Sequence, residues 1–265
     1  MNNVTLAFLL SLAAGLSTGI GSLITLFTKK TNTNFLAVAL GFSAGVMVYV
    51  SLVELLPEAQ NQLSVGLGNT LGKIVAIISF LAGMIFAGII DKILPEDKNP
   101  HEVKQFGTLD SQNVTGKKLM RTGIITAIAI TIHNFPEGIA TFISVLHDPS
   151  VGLPIVFAIA LHNIPEGISV GVPIYYATGS KRKAVFYSFA SGLTEPLGAT
   201  IGYFILMPFL NEIVYGVLFA LVAGIMVFIS FDELLPSARE YGEHHLSIYG
   251  MVAGMAVMAV SLIVL

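Results

Sequence analysis

The chain has 265 residues, of which 54% are hydrophobic and only 11% charged, with 26 Gly, no Trp and no Cys. Soluble domains carry about 25% charged residues, so the polar surface is too small for a water-soluble fold, and the composition is that of an all-α polytopic membrane protein. A formal charge of −3 gives no reason to expect nucleic acid as a partner, and the absence of Cys excludes disulfides and thiolate metal sites.

A helix needs about 20 apolar residues to cross a bilayer. Taken in chain order, eight runs are long enough, at roughly 4–28, 35–56, 72–91, 122–144, 152–175, 184–208, 212–235 and 247–265. Backbone groups in lipid have to be satisfied within their own segment, so each run is expected to be a transmembrane helix, and 1–265 a single transport domain. Met1-Asn2-Asn3-Val4 lacks the basic start of a signal peptide, so the first run is read as a retained span. Small residues such as Gly15, Gly19, Gly41, Gly45, Gly83 and Gly198 recur through the runs, as close helix packing in a membrane requires. A homodimer through a Gly-rich face is left open, since no surface singles itself out. The one long polar connection, 92–121, is expected to be a mobile loop, and His101 within it is read as part of a solvated linker.

Basic residues set the orientation. Lys29 and Lys30 lie in the first connection, and Lys92, Lys98, Lys104, Lys117, Lys118 and Arg121 at or in the third. Lys181, Arg182 and Lys183 fill the fifth, and Arg239 lies in the seventh. Of the 13 basic residues only Lys73 falls on the other side. The positive-inside rule then places the odd connections in the cytoplasm and both termini outside the cell membrane.

The two halves of the chain echo each other. Gly45-Val46-Met47-Val48-Tyr49-Val50-Ser51-Leu52-Val53-Glu54-Leu55-Leu56-Pro57 matches, without a gap, Gly224-Ile225-Met226-Val227-Phe228-Ile229-Ser230-Phe231-Asp232-Glu233-Leu234-Leu235-Pro236. Gly15-Leu16-Ser17-Thr18-Gly19-Ile20-Gly21 matches Gly192-Leu193-Thr194-Glu195-Pro196-Leu197-Gly198 more weakly. Spans 1–3 thus resemble spans 6–8 around central spans 4 and 5. The copies cross the membrane in opposite directions, which is the inverted repeat of an alternating transporter with a midplane site.

Between the halves stands a doubled hexapeptide. His133-Asn134-Phe135-Pro136-Glu137-Gly138 in the fourth run recurs as His162-Asn163-Ile164-Pro165-Glu166-Gly167 in the fifth. Residues four apart share a helix face, so His133 with Glu137, and His162 with Glu166, can each offer an imidazole nitrogen and a carboxylate to one cation. Asn134 and Asn163 approach the same glutamates from the other side. Pro136 and Pro165 lack an N–H, so the carbonyls of Ile132 and Leu161 are expected to lose their helical partners and the helices to kink. Glu195, ahead of Pro196, is the other ionisable group deep in an apolar run. Ionisable groups in hydrocarbon are functional-site hypotheses by default. Mixed nitrogen and oxygen ligands without sulfur suit Zn²⁺, Fe²⁺ or Mn²⁺, and binding one is expected to release protons. Glu54 near the end of the second run, and Asp232 with Glu233 at the end of the seventh, are candidate cation attractors at the two mouths. Met47 is a candidate soft ligand, although core filling is the usual work of a methionine.

At these residues the chain resembles the ZIP family of divalent-metal transporters in its bacterial form. The resemblance rests on both His-Asn-X-Pro-Glu-Gly motifs, on Ser191-Gly192-Leu193-Thr194-Glu195-Pro196 and on the Glu-Leu-Leu-Pro ends of the second and seventh runs. It implies uptake of zinc, iron and other divalent ions into the cytoplasm as substrates, with no catalytic cofactor, through a two-metal site. His133, Glu137, His162 and Glu166 would form one position, with Met47 as an extra ligand. Asn134, Glu137, Asn163, Glu166 and Glu195 would form the second, so that two glutamates bridge. The family's His-rich loop between spans 3 and 4 is reduced here to His101.

Two other function classes use related ligand patterns. A membrane metalloprotease helix reads His-Glu-X-X-His and a carboxylate-bridged di-iron bundle reads Glu-X-X-His. The present pattern, His-X-X-X-Glu broken by Pro, fits neither. A metal-gated receptor would bind the ion without moving it.

Overall fold

The computed structural model describes residues 3–23, 33–93, 112–241 and 244–264. Among the described residues there is no strand. In chain order the helices are α1 (Asn3–Leu23), α2 (Thr33–Val50), α3 (Leu56–Leu67), α4 (Asn69–Ile93), α5 (Gln112–His147) and α6 (Pro149–Thr178). They continue as α7 (Lys181–Gly192), α8 (Thr194–Leu206), α9 (Glu212–Ile229), α10 (Leu235–Tyr241) and α11 (His244–Val264). Among the described residues six stretches are long and apolar enough to cross a membrane: Asn3–Leu23, Ala37–Leu67, Asn69–Lys92, Gly152–Val172, Glu212–Leu234 and His245–Ile263. The protein is therefore an all-helical, multi-pass membrane protein. The other two expected runs are helical too. Residues 122–144 lie inside α5, and residues 184–208 are divided between α7 and α8 at Leu193. These two runs carry polar motif residues, which makes them less uniformly apolar than most of the others.

Several boundaries differ from the sequence reading, each for a physical reason. The second run was expected to end ahead of Pro57, yet the helix continues to Leu67. A single π-helical turn at Ser51–Leu55 joins α2 to α3, and the Leu56 N–H bonds the Ser51 carbonyl. A proline ring clashes with the carbonyl four residues earlier, and a widened turn just before Pro57 relieves that clash. The same device recurs at Ser230–Leu234 ahead of Pro236, where the Leu235 N–H bonds the Ser230 carbonyl and the helix goes on as α10. Prolines 136 and 165 lie inside α5 and α6, which run continuously through them as the expected spans do. The break falls instead at Leu193, two residues before Glu195, where the Thr194 hydroxyl donates to the Ser191 carbonyl at 2.6 Å. The expected loop 92–121 ends ten residues early, because α5 already begins at Gln112. Lys117, Lys118, Leu119, Met120 and Arg121 are good helix formers that extend the helix beyond the apolar run. The rest of that loop, with His101, lies outside the described residues, as do residues 24–28 of the first run.

Backbones approach closely at glycines. A Cβ on Gly167 of α6 would strike the Thr18 carbonyl of α1, and one on Gly21 of α1 the Ile164 carbonyl of α6. On the other side, a Cβ on Gly138 of α5 would strike the Glu195 carbonyl of α8, and one on Gly198 of α8 the Phe135 carbonyl of α5. Farther out, Gly45 of α2 meets the Met251 carbonyl of α11 and Gly254 of α11 meets that of Phe42. Gly224 of α9 likewise meets the Phe80 carbonyl of α4, and Gly83 of α4 that of Leu221. Away from the hexapeptides the interior is filled by aromatic rings, such as Phe8, Phe142 and Tyr203.

These contacts give a stability test. Gly167→Ala is expected to lose about 1–3 kcal/mol through overpacking against backbone. Gly88→Ala, whose Cβ would meet only the movable Phe228 ring, should stay within about 0.5 kcal/mol of the parent. Thermal unfolding of the purified proteins in detergent measures both.

Candidate functional site

Helices α5, α6 and α8 bring the motif residues into one buried region. Asn134, Glu137, His162, Asn163, Glu166 and Glu195 are all buried. The side chain of His133 lies outside the described residues, although its backbone belongs to α5. The two hexapeptides meet through His162 Nε2 and Glu137 Oε1, 3.4 Å apart. Thus His162 of one motif faces the glutamate of the other, as an interlocked pair of motifs requires.

The asparagines are held by their amide nitrogens. Asn163 Nδ2 donates to the Ala14 carbonyl of α1 at 3.0 Å and also to Glu195 Oε1. Asn134 Nδ2 donates to the Ser191 carbonyl of α7 at 3.3 Å. With each nitrogen committed to a backbone carbonyl, the amide oxygen has to point elsewhere. Asn134 Oδ1, Asn163 Oδ1 and Glu195 Oε2 are buried without a hydrogen-bond partner among the described residues, as are both carboxylate oxygens of Glu137, which lies against His162. Buried polar atoms almost always have partners. Five such oxygens in one place form a donor-poor, acceptor-rich cluster, which is the chemistry a hard or borderline cation completes. The charges of Glu137 and Glu166 also reach Glu195. Among the described residues no three His, Asp or Glu side chains converge tightly enough to enclose a metal. The polar set is gathered, therefore, but its carboxylates are not drawn in around a single point.

The remaining sequence-derived residues sit around this cluster. The Ser43 hydroxyl of α2 donates to the His162 carbonyl at 3.2 Å. Met47, fully buried and one turn later, shares the face of α2 that carries this contact. Glu54 is half-buried in the π-helical turn after α2, and Asp232 and Glu233 are half-buried in the matching turn after α9. A cleft is lined by Ile132 and Pro136 of α5 together with Asp91, Glu233, Phe86 and Ile229. Asp91 was missed in the sequence reading. An acid next to Lys92 at a span boundary looks like an ordinary membrane-edge pair, and only the packing of α4 against α9 brings it into the same cleft as Glu233.

Long apolar helices enclosing a cluster of carboxylates, amides and an imidazole define a membrane protein built around an intramembrane polar centre. Comparison with known proteins makes the class specific. Residues 91–262 match the family model described as ZIP zinc transporter. The chain is 61% identical over 257 residues to the zinc transporter ZupT of Streptococcus mutans, covering 97% of this chain and 96% of that one. It is 58% identical to the protein of the same name from Oceanobacillus iheyensis, with complete coverage of both. To that of Clostridium perfringens it is 56% identical, covering 99% of this chain and 97% of that one. The chain belongs to the ZIP family. This is a family of transporters, so the protein is not an enzyme and needs no catalytic cofactor.

The amide bonds supply a second test. Asn163→Ala removes a donor from both the Ala14 carbonyl and Glu195, and leaving buried groups unpaired is expected to cost about 1–3 kcal/mol. Asn134→Ala, which gives up one longer bond, should cost less. Metal-free thermal unfolding ranks the two variants.

Proposed function

We propose that the protein carries zinc, and with it iron(II), manganese and similar first-row divalent cations, into the cytoplasm through a binuclear midplane site. One position consists of His133, Glu137, His162 and Glu166, with Met47 as an extra ligand. The other consists of Asn134, Glu137, Asn163, Glu166 and Glu195, and the two glutamates bridge. The observation that carries this reading is the set of oxygens of Asn134, Asn163, Glu137 and Glu195 that are buried without hydrogen-bond partners among the described residues, next to the His162–Glu137 contact. Relatives across whole chain lengths bear the name zinc transporter, which supports zinc as the principal cargo. The ligand chemistry, nitrogen and oxygen without sulfur, extends the range to iron and manganese. Loading neutralises a group of carboxylates that are costly together in low dielectric, and closing the cation in requires them to move inward from their present spacing.

The chain is read as eight spans, with spans 1–3 repeated in inverted form as spans 6–8. The glycine contacts support this, because they come in matched pairs. Gly167 against Thr18 corresponds to Gly138 against Glu195, and Gly21 against Ile164 to Gly198 against Phe135. Gly45 against Met251 corresponds to Gly224 against Phe80, and Gly254 against Phe42 to Gly83 against Leu221. The two π-helical turns fall at matched positions as well. Thr18 stands where the other half has Glu195, so the site is asymmetric, with one acid added to a two-fold frame. With both termini outside in a cell membrane, Glu54 faces the entering ion. The cleft lined by Pro136, Asp91 and Glu233 then leads to the cytoplasm, with Asp232 next to it in the chain. Inverted repeats let a transporter open alternately to either side, and this favours transport over a receptor that only binds.

Purified protein in proteoliposomes is expected to accumulate ⁶⁵Zn and ⁵⁵Fe above empty vesicles; binding without accumulation would overturn the transport reading. Glu137→Ala and Glu166→Ala are expected to abolish uptake, since each removes a ligand from both positions. Glu195→Ala should change the iron-to-zinc ratio, and an equal loss of both metals would count against a divided site. Calorimetry in buffers of different ionisation enthalpy should register protons released on zinc binding between about pH 5 and 7.

A further inference from the structure

A second group of cation-ligand side chains stands apart from the hexapeptides, where α3, the end of α5 and the start of α9 meet. Gln62 Nε2 donates to Glu58 Oε1 at 2.7 Å and lies 3.2 Å from His147 Nε2. The imidazole nitrogen accepting that bond therefore aims its lone pair at the same point as the Glu58 carboxylate, and the amide N–H of Gln62 stands between them. Beneath lies Tyr215 of α9, only 1% exposed, its ring 4.4 Å from that of His147 and stacked at 4.2 Å on Phe219. The close approach of α9 to Ala59 and Leu63 of α3 at Gly216 holds Tyr215 in place. Its hydroxyl is buried and has no hydrogen-bond partner among the described residues. The charged groups around it are Glu58, Asp148 and Glu54, all acidic. Asp148 caps α6, and its bonds from the Ser150 hydroxyl and N–H hold its carboxyl below the usual carboxylate range.

None of these residues belongs to the hexapeptide cluster, and the chemistry of the group is that of a cation site. A carboxylate and an imidazole nitrogen converge on a neutral amide, an orphaned hydroxyl lies beneath, and Glu58, Asp148 and Glu54 bring negative charge to that hydroxyl. The two ends of a Gln amide are nearly the same in shape and opposite in polarity. Turning Gln62 over would replace its N–H by its oxygen and leave one point faced by oxygen, nitrogen and oxygen. Such a mixed set suits a borderline divalent ion.

We propose that Glu58, Gln62 and His147, over the Tyr215 hydroxyl, form a separate binding station for a divalent cation at the rim of the helical bundle. With two ligands that can carry or share charge, and one side open to water, it binds more weakly than the buried centre and exchanges freely. Its place in the path rests on the proposed orientation, which puts these helix ends outside the cell; there it concentrates the ion at the rim before the ion passes Glu54. Clefts lined by charge of one sign raise the local concentration of the opposite ion by about tenfold or more.

The test uses the full chain and zinc alone. In nanodiscs, equilibrium dialysis of ⁶⁵Zn is expected to count one zinc fewer for His147→Gln and for Glu58→Gln than for the parent. In proteoliposomes both variants should raise the KM for zinc uptake by about fivefold with an unchanged maximal rate, the pattern of lost capture. Tyr215→Phe should raise KM in the same direction by a smaller factor. An unchanged zinc count with an unchanged KM overturns the station, and so does a fall in maximal rate alone, which marks a structural clamp. The side of the membrane is read independently. The chain has no Cys, so Val65→Cys, at a position 77% exposed on α3, is expected to react with an impermeant maleimide on intact cells. Reaction only after lysis overturns the outward placement and the uptake direction proposed above, whereas the zinc counts judge the station itself.

Discussion

The bonds from the two asparagine amides to the backbones of neighbouring helices are the constraint on which the centre of this protein depends. A buried amide has two donors and an acceptor to satisfy, and in hydrocarbon no water is there to help. Asn163 and Asn134 commit their nitrogens to the carbonyls of Ala14 and Ser191. This fixes α6 against α1 and α5 against α7, and it leaves both amide oxygens buried without a hydrogen-bond partner among the described residues. Polarity in the centre is thereby sorted, with donors facing backbone and acceptors facing one another. In the proposed function a divalent cation is the positive partner of such a cluster.

Close helix approach makes those bonds reachable. The contacts of Gly167 with Thr18 and of Gly138 with Glu195 lie one turn along from the asparagine bonds, where any larger side chain would push the helices apart. In lipid, where apolar tails compete equally for apolar side chains, tight packing at small residues is a main source of helix association. The same glycines therefore serve stability and site geometry. The π-helical turns at Ser51–Leu55 and Ser230–Leu234 add a local adjustment. They let each helix pass its proline unbroken, and they carry Glu54, Asp232 and Glu233.

The legibility of these features in the sequence was uneven, for reasons that lie in particular residues. Runs of apolar residues revealed helices and membrane, and the hexapeptides stood out because polar groups in such runs are costly. Two prolines were misread. Pro57 and Pro236 look like helix ends, yet a widened turn ahead of each carries the helix past it. Asp91 and His147 escaped notice because each sits at a span end, where charged and polar residues are common. Gln62 and Tyr215 escaped because amides and phenols carry no metal signature alone.

What the sequence determined by itself is whatever depends on neighbours within a few turns: helical structure, membrane residence, the pairing of His, Asn and Glu on one helix face, and the family to which those motifs point. What tertiary structure decided is whatever joins residues distant in the chain. The Asn163 amide meets a carbonyl 149 positions away, and Ser43 meets His162 across 119. No local pattern encodes such a meeting, because it follows from how several helices pack at once. Packing alone placed Glu195 beside Asn163 rather than Asn134, opened the cleft from Pro136 to Asp91 and Glu233, and set His147 over Tyr215.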